Sequence, residues 1–126
     1  MIKTEAVAYN ETLADQVERV LQANDVDYTP KKMFGGLAFM VRDQMAVGVT
    51  RDWLMVRVPA DEYENSLTRY GARPMDFTGR VMKNFVFVEE AGYSDWKDLQ
   101  SWVAMGVRYA MENEPKIKST KPVKKK

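Results

Sequence analysis

Three short β-favouring runs, residues 37–41, 45–49 and 53–58, follow one another with only the polar turns Arg42-Asp43-Gln44 and Thr50-Arg51-Asp52 between them. Branched and aromatic side chains suit a pleated, half-buried surface. Connections this brief cannot carry the crossover that a parallel pair needs, so the runs predict an antiparallel meander. Gly48, inside the second run, marks a bulge or a close packing partner.

The flanking segments read as helices and one further strand. Leu13, Val17, Val20 and Leu21 recur at helical spacing, Asn10 or Thr12 can cap the start, and Asn24-Asp25 followed by Pro30 ends the run, giving a helix over 11–23. Pro59 suits a first helical turn, Asp61 and Glu62 favour its positive end, and Tyr63, Leu67 and Tyr70 mark an apolar face that stops at Gly71. Residues 81–88 alternate as a strand that is apolar on both faces near its end and is therefore central or covered. Ser94 caps a last helix in which Trp96, Leu99, Trp102, Val103, Gly106, Tyr109 and Ala110 form a buried stripe, Gly106 permitting close contact. The expected fold is α+β, a single mainly antiparallel sheet in the order αβββαβα with helices packed on it.

At 126 residues the chain has the size of one domain, which should bury roughly two-thirds of its unfolded surface. The longest uninterrupted apolar run, residues 37–41, is too short to span a bilayer, and the first residues lack the pattern of a secretory signal, so a cytoplasmic protein without membrane contact is expected. There is no cysteine and no histidine. That removes the thiol nucleophile, the thiolate metal site and the commonest general base, and no acidic loop of calcium-binding spacing replaces them. No enzyme activity, metal or cofactor is expected. The net charge of +1 conceals an asymmetry, because residues 112–126 hold six lysines against two glutamates. Residues 1–111 are read as the folded domain and 112–126 as a basic, disordered tail too poor in apolar groups to offset its ordering entropy.

Two dense motifs carry candidate binding residues. In Lys32-Met33-Phe34-Gly35-Gly36 the paired glycines invite a phosphate-loop reading, with Lys31 and Lys32 near, but a strand follows where a helix is required and no Gly-Lys-Ser/Thr ending occurs. The simpler reading has Met33 and Phe34 plugging the core while Gly35 and Gly36 bend the chain. In the second motif Arg73, Arg80 and Lys83 flank the single carboxylate Asp76, and Arg57 can join them around a carboxylate or phosphate ligand. Alternatively Asp76 satisfies the turn and an arginine, leaving no room for a ligand. The nine methionines fill the core or serve an adaptable contact surface. Lys121, Lys124, Lys125 and Lys126 support at most salt-sensitive, nonspecific nucleic-acid contact.

Met33-Phe34-Gly35-Gly36-Leu37-Ala38-Phe39-Met40, Leu54-Met55-Val56-Arg57-Val58, Arg73-Pro74-Met75-Asp76-Phe77-Thr78-Gly79-Arg80 and the Trp102 helix, in that order, resemble the amino-terminal domain of the TfoX/Sxy family. The resemblance implies a small bacterial cytoplasmic α+β protein, and its best-known members positively regulate competence genes. Those regulators carry a further carboxy-terminal helical domain, whereas only the basic tail is expected here. The resulting expectation is a non-enzymatic interaction module that meets a protein partner or a second copy through a meander edge or the methionine-rich face. The alternative is a small-anion or metabolite sensor using Arg57, Arg73, Arg80 and Lys83.

Overall fold

The computed structural model describes residues 9–33, 35–77 and 79–113. Helix α1 (Glu11–Ala23) begins where Asn10 Oδ1 accepts the Leu13 amide at 3.0 Å. It ends in a Schellman arrangement, with the Val26 amide donating to Leu21 O, the Asp25 amide to Gln22 O, and Asp25 itself at φ 56°.

Strands β1 (Thr29–Met33), β2 (Gly36–Val41), β3 (Gln44–Thr50) and β4 (Trp53–Arg57) follow. After a 3₁₀ turn at Ala60–Glu62 come α2 (Tyr63–Ser66), β5 (Ala72–Phe77), β6 (Arg80–Val88), α3 (Glu90–Tyr93) and α4 (Trp96–Glu112). One antiparallel six-stranded sheet has the order β1-β2-β3-β4-β6-β5. The expected meander is its centre, β2 to β4.

Beyond the expected strands, β1 and β5 form the two edges. Thr-Pro-Lys-Lys-Met and Ala-Arg-Pro-Met-Asp-Phe lack strand periodicity because an edge strand bonds on one side only and tolerates proline and charge. The second helix is much shorter than predicted. Ser66 Oγ and Thr68 Oγ1 donate to the carbonyls of Tyr63 and Asn65, diverting hydroxyls to the backbone where the helix stops. Tyr70 is consequently 80% exposed instead of lying on a buried face. Ser94 ends α3, and it is Asp95 that caps α4, accepting the Lys97 amide at 2.8 Å.

Continuous register locates both faces of the sheet. One cross-sheet row runs Pro30–Phe39–Val47–Val56–Val86–Pro74, with proline at each edge. Its neighbour runs Lys31–Ala38–Gly48–Met55–Phe87–Arg73. Phe39, Val47, Val56 and Val86 pack with Leu13, Val17 and Leu21 of α1 and Leu99, Trp102 and Val103 of α4 in the main core. Gly106 lets α4 lie against β3, since a Cβ there would sit 2.2 Å from Ala46 O. On the opposite face Ala38, Met45, Met55, Met75 and Phe85 form a second cluster, joined by Met33, Met40, Met82 and Phe87. Gly48 leaves the space that the Cε methyls of Met45 and Met55 occupy, so its role is close packing.

The far end of α4 is held by side chains of the β2–β3 hairpin. Arg42 donates to the carbonyls of Ala110 and Met111, and buried Gln44 donates to those of Ala110 and Asn113. A cation and an amide thus satisfy carbonyls at the negative end of the helix. Arg42 and Asp43, at φ 53° and 65°, form the turn that presents them.

Candidate functional site

Sheet register divides the residues that the sequence grouped together. Lys32 pairs with Leu37 beside Gly35 and Gly36, and Arg73 pairs with Phe87 near the same end of the sheet. Arg57 pairs with Phe85, and the β5–β6 turn carrying Asp76, Arg80 and Lys83 lies toward that opposite end. Phe34 and the lysines 121, 124, 125 and 126 lie outside the described residues.

At the first end, the glycines serve the fold. Gly35 turns the chain at φ 71°, and a Cβ on Gly36 would fall 2.0 Å from Val49 O. Arg73 lies over the Trp53 ring at 4.4 Å and approaches Glu89 at 3.9 Å, with both charged groups about half exposed. Such a solvated pair stabilises little. Arg73 shares the Met55–Phe87 row, two residues along β4 from Arg57 and about 7 Å away at the usual strand rise, and its side chain turns toward Trp53 and Glu89.

Arg57 has unusual surroundings. Its guanidinium carbon lies 4.7 Å from the Phe85 ring centroid and 4.5 Å from that of Tyr109, joining the sheet to α4. Among the described residues it has no carboxylate partner, and its Nε is buried without an acceptor. Next to Phe85, Asn84 adopts φ 71°, and its Oδ1 is likewise buried without a donor. Backbone bonding ties the two together, because the Val58 amide donates to Asn84 O at 2.7 Å. Residues 82–85 bulge out of the β5–β6 ladder here, between the Pro74–Val86 and Asp76–Val81 pairs. Asp76, Arg80 and Lys83 form no ion pair among the described residues, so Asp76 does not neutralise the cations near it.

A second feature lies on the helical side. A groove of about 430 Å³ runs between α1 and α4, lined by Val20, Leu21, Val26, Val103, Val107 and Met111. Met111 is 54% exposed. At the rim Arg108 meets Glu112 at 2.9 Å, Asp61 at 3.2 Å and Glu62 at 3.4 Å. Glu112, and after it Asp61, hold the guanidinium proton more tightly than in free arginine. Three carboxylates against one cation leave this rim with a formal charge of −2.

Sequence reasoning missed Asn84, Tyr109 and this groove. The spacing of Val103, Val107 and Met111 was a usable signal, since i, i+4 and i+8 share a helix face. Among the described residues no cluster of three or more acidic side chains could hold a metal ion, and no helix is long and apolar enough to cross a membrane.

The architecture defines a small α+β domain whose helices cover one face of an open antiparallel sheet. Residues 4–110 match the TfoX N-terminal domain family, and the chain belongs to it. No curated protein and no solved structure matches the chain.

Proposed function

We propose that this TfoX N-terminal domain is a cytoplasmic, non-enzymatic regulatory module that works by binding another protein through the α1–α4 groove. The open aliphatic groove with its acidic rim is the observation that carries this reading. The meander offers no free edge, because β1 covers β2 and β6 covers β4. The outer edges carry Pro30 and Pro74 with Lys31, Lys32 and Arg73, which disfavour strand addition. On the methionine face Met45, Met55 and Met75 are buried, with Met33, Met40, Met82 and Phe87 partly buried around them, and among the described residues no charged rim is paired there as it is at the groove. The occupant that complements an apolar groove with a −2 rim is a basic amphipathic helix of a partner protein. A chain without histidine or cysteine favours recognition over turnover, and the family's regulators of competence genes suggest a transcription-related role.

A photo-crosslinking side chain placed at Val107 in cells tests the surface. A single partner should crosslink through a lysine- or arginine-rich helical segment, the product should fall with salt, and V107D should abolish the complex. Crosslinking no stronger than from exposed Thr68, or a complex indifferent to V107D, refutes the groove. Sedimentation of the purified chain separates a heterologous partner from self-association.

A second reading, small-anion sensing, is favoured by the uncompensated Arg57. In this reading Arg57, Arg80 and Lys83 meet the ligand, while Arg73 turns toward Trp53 and Glu89.

A further inference from the structure

We propose that the corner made by Arg57 and Asn84 binds a small carboxylate bearing a hydroxyl or amino group next to the acid; this deepens the anion-sensing reading and rests on it. The guanidinium carbon lies over the Phe85 and Tyr109 rings, and a guanidinium stacked on aromatic faces keeps its N–H rim for a ligand. Only Nε is both buried and unpartnered among its nitrogens, so the two Nη atoms keep access to solvent. In the adjacent register position Asn84 Oδ1 is an orphaned acceptor.

Native proteins pair nearly all their buried polar groups, so an unmatched donor and an unmatched acceptor on neighbouring positions of paired strands call for explanation. A clamp between β4 and α4 accounts for the stacking but not for the orphaned atoms. Their complement is a ligand that accepts from guanidinium and donates to a carboxamide oxygen. A carboxylate fits the flat fork of N–H donors. The neighbouring O–H or N–H of a 2-hydroxy or 2-amino acid supplies the donor. Sulfate, fully ionised at neutral pH, presents acceptors alone and would oppose Asn84 Oδ1. Lys83 and Arg80 add positive potential at this end of the sheet, with Asp76 as the opposing charge.

The test uses the full ¹⁵N-labelled chain titrated separately with lactate, acetate and sulfate, following the Arg57 Nε–H and Asn84 side-chain amide resonances. Lactate should shift both saturably, and acetate and sulfate should each bind about tenfold more weakly or worse for want of one hydrogen bond. R57M, which keeps an unbranched side chain between the rings, should weaken lactate by about tenfold or more, while R73M leaves it unchanged. If R57M does not fold, N84D serves instead, placing a carboxylate against the ligand and abolishing binding. Sulfate binding as tightly as lactate overturns the ligand class while sparing anion sensing. Silence of the Arg57 resonance with all three probes sinks both. Because V107D should not affect lactate, neither result bears on the partner groove.

Discussion

At the residue scale, single backbone positions have opposite tolerances that follow from local geometry. Asp25 occupies the left-handed position after α1 at φ 56°, where a Cβ is unfavourable. D25G should therefore raise stability by about 1 kcal/mol, seen as a higher urea midpoint with an unchanged slope. Gly36 behaves in the reverse sense: its α-hydrogen faces Val49 O, and G36A should lower the same midpoint because backbone must move to admit the methyl. Tyr93 gives a pH signature. Burial first, then Glu90 and Asp52, push its hydroxyl up to about 12, and that hydroxyl donates to Asp52 O at 2.7 Å. A raised folded-state pKa means the folded chain keeps a proton that the unfolded chain loses. The contribution is full below the ordinary tyrosine value of 10 and disappears as pH climbs from there to about 12. Y93F should flatten this alkaline decline in urea melts collected across that window.

At the element scale, α4 depends on the β2–β3 hairpin for its last carbonyls. Q44L keeps an apolar group in the buried position but leaves Ala110 O and Asn113 O without that donor, so a loss of about 1–3 kcal/mol is expected. Hydrogen exchange should locate the damage in the final turn of α4, leaving α1 protected. Equal loss of protection in both helices would show that Gln44 acts through the general core instead. The elements also show where pattern reading succeeds. Helix α1 and the central meander were legible because each element carries its own apolar period. Strands β1 and β5 were not, since their pairing comes from neighbours and their own side chains are largely polar or constrained by proline. The predicted second helix failed for a related reason: its apolar spacing was present, but serine and threonine turned to the backbone before it could lengthen.

At the scale of the whole molecule, the two faces of the sheet have different roles. Trp102 is fully buried in the main core and its Nε1 donates to Gly92 O at 3.2 Å, linking α4 to α3. W102A should cost about 3–5 kcal/mol in denaturant melts, whereas V107D, in the groove wall, should spare the fold far more than it spares partner binding. The amino-acid sequence by itself determined the α+β class, the antiparallel centre, the helix over residues 11–23 and the family, because these rest on local periodicity and on motifs read in order. Only the tertiary structure decided how the candidate cations are distributed. Strand register put Lys32 and Arg73 in adjoining rows, Arg57 two rows further along, and Arg80 beyond it at the β5–β6 turn, although Arg73 and Arg80 are close in sequence. It also brought Tyr109 of α4 over Arg57 and placed Val20 and Leu21 across from Val103 and Val107. Periodicity tells a segment which face to bury, but long-range pairing and helix docking choose its neighbours, and no short stretch of chain encodes that choice.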